Sequence, residues 1–398
     1  MTAPESLQGL VDRFDASAFD PPPGEVRIRL VVEAQGEWDV LAGDARARLE
    51  AADLRRKPDA IMRADAGVWE AIRADVRGGL EAYQRGRLLM RHNLHLGVAF
   101  LAATSGARGP ARLEFRSVDT PTGRISYLAA GLGEPVLLIH GLGATKGSFL
   151  PTVAGLAGSH RAIALDLPGF GDSYKPFGAP YHAPFFARAV VELMDALGIR
   201  HAHMIGNSMG GRVALEIGLR YPERVGRLVL LAPSLAWRRE RRWTGFLRLV
   251  SPELGLVQVT PRWMVEAIVH RLLPSAEGSW IRAGVDEFLR AYLTPRGRVA
   301  FYAAARQIYL EEPHGAKGFW TRLATLAPPA LFVWGKHDTL VPLAFATHVQ
   351  RTLPLARQVV LDCGHVPQIE RPRETDAAIL AFLREPASTF AEALRLSS

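Results

Sequence analysis

Three residue types able to share one proton are spread along the second half of the chain. Ser208 stands in Gly206-Asn207-Ser208-Met209-Gly210, between a short apolar run at 203–205 and an amphipathic stretch at 210–221. This pattern predicts a strand turning sharply into a helix, with the hydroxyl pushed out at the carboxyl end of a sheet. Larger side chains two positions to either side would strike the neighbouring strand and helix, which Gly206 and Gly210 avoid. A serine hydroxyl is a poor nucleophile at neutral pH and needs a base. His365, in Asp362-Cys363-Gly364-His365, follows the last expected strand, and Asp338, in Trp334-Gly335-Lys336-His337-Asp338, follows the strand before it. An imidazole set between hydroxyl and carboxylate takes the hydroxyl proton while the carboxylate fixes its tautomer. Ser208, Asp338 and His365 are therefore the candidate catalytic residues.

Nucleophilic attack on a carbonyl also needs donors for the oxyanion. The backbone N–H of Met209, at the start of the helix behind Ser208, is one candidate. The other is the N–H of Leu142 in His140-Gly141-Leu142-Gly143, where two glycines let the backbone approach a substrate. Other polar residues read as structural. Asp166 and Asp172 suit bonds to loop amides, and His140 suits bracing of the oxyanion loop. Cys363 suits a small buried apolar role, while His201, His203 and His337 carry no assignable one. After the fourth expected strand the chain reads Ala232-Pro233-Ser234 with no acid, which favours Asp338 as the carboxylate.

The elements that must position these groups fall into two halves. From 136 onward, short apolar strands at 136–139, 162–165, 203–205, 228–231, 331–334 and 359–361 alternate with helical stretches. This predicts a parallel sheet covered on both faces. About a hundred residues separate 231 from 331, far more than a simple crossover of roughly thirty needs. A helical cap at about 234–325 is expected there. Before the turn-rich linker 104–110, strands at 25–33, 38–41, 46–50, 60–63 and 87–90 mix with helices at 66–73, 80–83 and 94–102. The reading is a small α+β domain over 1–110, followed by an α/β domain over 111–398.

From about Phe115 to Leu383 the chain resembles the α/β-hydrolase superfamily. The motifs are His140-Gly-Leu-Gly, Asp166-Leu-Pro-Gly-Phe-Gly-Asp-Ser173, Gly206-Asn-Ser-Met-Gly-Gly211, Gly335-Lys-His-Asp338 and Gly364-His365. The order Ser, Asp, His along the chain is that of this superfamily. Residues 141–149 and 363–372 resemble bacterial lipases and esterases related to monoacylglycerol lipases. The resemblance implies hydrolysis of a lipophilic carboxylic ester through an acyl-enzyme, with no cofactor or metal. A serine at 208 separates the chain from epoxide hydrolases and haloalkane dehalogenases, which carry aspartate there. Carbon–carbon hydrolases of ring-cleavage products share Gly-Asn-Ser-Met-Gly-Gly and are the alternative. Many of them follow the histidine with tryptophan, where this chain has Val366, and their Gly/Pro-rich oxyanion loop is absent from 142–146.

Residues 9–103 resemble the sterol carrier protein type two family of small lipid carriers. The resemblance is carried by Pro58-Asp-Ala-Ile-Met-Arg-Ala-Asp65, Trp69, Gly79-Leu-Glu-Ala-Tyr83, Gly86-Arg-Leu-Leu-Met90 and the helix from Leu94. His92-Asn93 replaces the family's usual Gly-Asp. The resemblance implies an acyl chain or other lipid as a partner of this half. A carrier with a vestigial hydrolase half is the reading from outside the enzymes. A domain that only packs or dimerises is the plainer one.

Composition bounds the remainder. Of 398 residues, 48% are hydrophobic and 22% charged, as in ordinary soluble proteins. The net charge of +8 comes from arginines scattered among acids, without any nucleic-acid motif, so no nucleic-acid partner is expected. The one basic aromatic cluster, 237–250, begins at Trp237. It places Trp243, Phe246, Leu247 and Val250 on one helix face beside Arg238, Arg239, Arg241 and Arg242, a pattern suited to peripheral membrane contact or to cap packing. A single cysteine excludes internal disulfides. The first 25 residues lack the apolar core of a secretory signal, and no run of about 18 apolar residues occurs. The expected location is cytoplasmic, with peripheral contact at a membrane.

Overall fold

The computed structural model describes residues 3–19, 24–43, 46–74, 79, 82–83, 85–105, 113–236, 251–256, 261–276 and 278–386. Two sheets organise them. The first contains β1 (Val26–Val32), β2 (Gly36–Ala42), β3 (Ala47–Ala51), β4 (Ala60–Ala64) and β5 (Leu89–Arg91), in the order β3-β2-β1-β4-β5. β1 pairs antiparallel with β2 and parallel with β4. The period-two alternation expected at 25–33 turns apolar side chains such as Ile28 and Leu30 into the core. On the other face, Arg29 forms two bonds to buried Asp39, at 2.8 and 3.1 Å. Burial alone would raise the Asp39 carboxyl, but bonds from Arg29 and Arg27 hold it below its usual value.

The second sheet holds β6 (Glu114–Thr120), β7 (Gly123–Ala130), β8 (Glu134–Ile139), β9 (His160–Leu165), β10 (Ala202–Asn207), β11 (Val225–Leu231), β12 (Ala330–Gly335) and β13 (Arg357–Leu361). Their order is β13-β12-β11-β10-β8-β9-β7-β6. From β9 to β13 all neighbours are parallel. The sheet is nonetheless mixed, which corrects the expectation of a parallel one, because β7 runs antiparallel to both β6 and β9. Of the hairpin strands only β6 lies at the sheet edge, with solvated positions, while β7 sets Arg124 and Ser126 among its apolar residues, so neither shows the continuous apolar run that marks the centre of a parallel sheet. Alternate residues of the central strands feed two cores. Val136 and Leu138 face one, and Leu137 and Ile139 face the other. A strand buried on both faces reads as unbroken apolar sequence for this reason.

The insertion between β11 and β12 is helical where described, with helices Arg262–Leu272, Gly278–Tyr292, Pro295–Leu310 and Phe319–Leu323. The cluster 237–250 and most of the linker 104–110 lie outside the described residues, as do residues 80 and 81 of the helix expected at 80–83.

The helix Leu94–Ala103 has every one of its ten residues buried. A helix apolar all round must be covered on all sides, and this one lies between the two sheets. Its amino end is fixed by Asn93, whose side chain accepts from the Leu96 N–H at 3.1 Å. The preceding residue, His92, has φ +68°, a left-handed conformation that glycine adopts at no cost. One continuous core joins Leu30 and Met62 of the first sheet to Phe100, Phe115 and Leu138.

Candidate active site

Ser208 terminates β10 with φ +53° and ψ −115°, a strained conformation for a residue with a side chain. The turn is held by three backbone bonds. The Ser208 N–H donates to Leu231 O at 3.0 Å, while the Ser208 carbonyl accepts from Arg212 and Ser234. The steric argument for the flanking glycines has concrete partners here. A Cβ at Gly206 would overlap the Gly210 carbonyl, and one at Gly210 would overlap the Ile139 carbonyl of β8. The helix can therefore lie directly on the strands only if both positions lack side chains.

Asp338 and His365 follow β12 and β13 and meet. His365 Nδ1 lies 2.7 Å from Asp338 Oδ2, and Asp338 Oδ1 accepts from the N–H groups of Leu340 and Val341 at 2.7 and 2.9 Å. Both residues are buried. His365 Nε2 is buried with no hydrogen-bond partner among the described residues and shares a cavity with Ser208. The Asn207 amide donates to the His365 carbonyl at 3.1 Å and to the Leu231 carbonyl at 3.0 Å. The strand that ends at the serine is thereby tied to the loop that carries the histidine. An imidazole with Nδ1 on a carboxylate leaves Nε2 to accept a proton from a hydroxyl.

Leu142 lines the same cavity, on a loop that runs against the serine turn. A Cβ on Gly141 would sit 3.3 Å from the Ser208 Cβ and from Asn207 Oδ1. Met209 opens the helix Met209–Arg220, and first-turn N–H groups have no intrahelical acceptor. Its partial positive end therefore lies at Ser208, the residue that caps it. His140 is fully buried, with Nε2 accepting from the Leu167 N–H at 3.0 Å and Nδ1 donating to the Gly141 carbonyl at 2.7 Å. Burial lowers its tendency to take a proton, and it braces the loop as a neutral ring.

Two supports of the site were not legible as such. Glu370 is buried and wraps the histidine loop, with Oε2 accepting from the N–H groups of Gly364 and Ser275 and Oε1 from that of Val366. Lys146 sits in the loop after Leu142 with its ammonium buried. Its Nζ lies 2.5 Å from Asp166 Oδ2, 3.1 Å from Asp172 Oδ2 and 3.3 Å from His95 Nδ1. The Lys146 N–H also donates to Asp166 Oδ1 at 2.7 Å. Asp166 thus bonds loop amides as expected. Asp172 instead gathers side-chain nitrogens, taking Lys146, His95 and both terminal nitrogens of Arg290, the last at 2.7 and 3.1 Å. Burial would raise the Asp172 carboxyl, but the charges of His95, Lys146 and Arg290 hold it well below its ordinary value. The only hint in the sequence is a lysine inside an otherwise small and apolar loop.

The cavity is about 440 Å³. Its walls include Leu142, Val265, Leu272, Phe288, Phe301 and Val341, and Tyr83 and Leu94 of the first half. Among the described lining residues the ionisable groups besides tyrosines are His365 and Glu287, and none is lysine or arginine. Among the described residues, no group of three His, Cys, Asp or Glu is placed to hold a metal ion, and no helix is long and apolar enough to cross a membrane.

A serine on a strand–turn–helix, an Asp–His pair from the next strands and a helical cap define a hydrolase-type site on a doubly covered sheet. The chain belongs to the α/β-hydrolase family, whose profile, described as "alpha/beta hydrolase fold", matches residues 134–372. It is 31% identical over 277 residues to the dihydrolipoyllysine-residue acetyltransferase component of the acetoin cleaving system of Cupriavidus necator, covering 69% of each chain. It is 29% identical over 274 residues to 2-hydroxy-6-oxo-6-phenylhexa-2,4-dienoate hydrolase of Comamonas testosteroni, covering 66% of this chain and 91% of that one. Among solved structures, a bacterial membrane phospholipase A matches with a TM-score of 0.57 and 26% identity, over 80% of this chain and 93% of that one. The enol-lactonase of Burkholderia xenovorans LB400 shares the fold, with a TM-score of 0.57 and 22% identity over 68% of this chain and 100% of that one.

Proposed function

We propose that the protein is a serine hydrolase that cleaves a neutral, lipophilic carboxylic ester through an acyl-enzyme. Ser208 Oγ attacks the ester carbonyl carbon as His365 Nε2 takes its proton, and Asp338 holds the Nδ1–H and stabilises the imidazolium. The oxyanion is received by the N–H groups of Met209 and Leu142. His365 then returns the proton to the departing alkoxide, and a water activated by the same imidazole releases the acid. The first half, which resembles lipid carriers, steadies the apolar part of the substrate.

The observation that carries the ester reading is the character of the cavity wall. A carboxylate substrate entering a low-dielectric pocket needs a cationic partner, since an unpaired buried charge is costly. Apolar walls without lysine or arginine among the described lining residues favour an uncharged acyl chain.

A second reading has its own support. Several similar proteins are named as dienoate hydrolases, which act on carbon–carbon bonds of anionic substrates. The two readings separate on substrate choice. Turnover of p-nitrophenyl octanoate faster than of acetate, abolished in Ser208→Ala, is the expected result. Efficient cleavage of a 2-hydroxy-6-oxo-dienoate, with negligible hydrolysis of every ester in the series, would replace the first reading with the second.

A further inference from the structure

We infer that the first domain is a fixed wall of the substrate pocket, with Leu94 setting how long an apolar chain the pocket accepts. The inference rests on the ester reading and adds a determinant of specificity to it. Leu94 and Tyr83 line the cavity that holds Ser208, and both are nearly fully buried. Leu94 lies directly on the turn that continues the oxyanion loop, because a Cβ added to Gly147 would sit 2.8 Å from Leu94 Cδ2.

The residues beside Leu94 hold that contact in place. Arg91 Nε donates to Asp286 Oδ2 at 2.6 Å, and the His92 N–H donates to the same oxygen at 3.2 Å. Asp286, on the cap helix Gly278–Tyr292, also pairs with Arg262 of the neighbouring cap helix at 2.7 Å. His95 pairs with Asp172, which in turn binds Lys146 of the oxyanion loop and Arg290 of the cap. His95 also packs edge-on against Phe115 of β6, with ring centroids 4.2 Å apart. Four of the five residues 91–95 thus touch the oxyanion loop, the loop after β9 or the cap helix Gly278–Tyr292.

A carrier that shuttled lipid would have to undock. Undocking here would strip buried Asp286 of Arg91, expose the helix Leu94–Ala103 and open the pocket to water. Charges buried as partners are costly to separate, and the apolar core is continuous across the boundary. The arrangement suits a permanent wall.

The test uses the full chain with Leu94→Ala and Leu94→Phe and a series of p-nitrophenyl esters from two to sixteen carbons. Removing side-chain volume moves the best chain length upward, and adding it moves the best length downward. Each methylene gained or lost changes kcat/KM by about fourfold. Opposite shifts in the two variants support the wall, because a purely structural defect lowers all chain lengths alike. Profiles that superimpose on the wild type after scaling overturn the inference, and either variant suffices if the other does not fold. Displacement of a fluorescent long-chain fatty acid by fatty acids of graded length reads the same wall without chemistry. A wild type that hydrolyses no ester sinks the ester reading, and the displacement profiles then decide the wall by themselves.

Discussion

At the scale of single residues, the proposed chemistry depends on a hydroxyl whose reactivity is borrowed. Ser208→Ala removes the nucleophile, and kcat for a p-nitrophenyl ester is expected to fall by at least about 10⁴-fold, as in other triads. Asp338→Asn leaves the shape but withdraws the carboxylate that fixes the imidazole tautomer, and a loss of about 10⁴ in kcat is expected. A steady-state assay that finds either variant within tenfold of the wild type would refute the assignment. Asn207 offers a subtler case. Its amide bridges two carbonyls, one on β11 and one on His365. Asn207→Ala should destabilise the protein by about 1–3 kcal/mol, because the buried His365 carbonyl loses its donor while Leu231 O keeps the Ser208 N–H. It should also lower kcat more than it raises KM, because the histidine loop loses its tie. Urea unfolding and a kinetic split on the same preparation check both outcomes.

Elements set these residues where single bonds could not. Every candidate group lies just past the carboxyl end of a parallel strand, where loops from neighbouring strands converge. The oxyanion loop is the least regular of them, and it is held by charge. Lys146 lies buried between Asp166 and Asp172, and its side chain packs over the Phe115 ring at 4.7 Å. Lys146→Met would leave buried Asp166 without its cation and take one from half-buried Asp172, at a cost of about 3–5 kcal/mol. The pH dependence follows from the depressed Asp172 carboxyl. Its contribution is complete above the unfolded value of about 4 and is lost as pH falls below that. Wild-type stability should therefore drop steeply on the acid side, and the variant, lacking much of that contribution, should show a shallower acid limb. Chemical denaturation between pH 3 and 7 distinguishes the two curves. Parallel curves would mean that Lys146 does not set the Asp172 charge.

For the molecule as a whole, the buried acid Asp376 in the helix Pro372–Arg384 runs the other way. Burial pushes its carboxyl up to about 7. The folded state then holds a proton that the unfolded chain releases above about pH 4. Stability should fall by about 1.4 kcal/mol per pH unit between roughly 4 and 7 from this group, and level off above. Asp376→Asn should erase that slope, so the variant gains on the wild type as pH rises. Urea midpoints at pH 5 and 8 test it, and an equal difference at both values would discount the carboxyl. The same helix lies under the core that runs unbroken from the second sheet to the first. Local titration is therefore read out in global stability.

Much of the candidate site could be read from residue order alone. A serine between glycines, a histidine after the last strand and an aspartate after the one before each carry a local signal, because chemistry restricts residue type and a strand end restricts position. The apolar runs likewise named most strands, since burial on two faces leaves no room for polar residues. The β6–β7 hairpin escaped because the edge strand β6 carries mixed polarity and β7 sets Arg124 and Ser126 among its apolar residues. The partners that lie far along the chain escaped for a more general reason. Nothing near Lys146 in sequence announces His95 or Arg290, and nothing near Leu94 announces a cavity it shares with a serine more than a hundred residues away. Those pairings exist only when two sheets and a cap bury charge and apolar surface against one another. Their energy comes from excluding water, a property of the assembled volume and not of any segment.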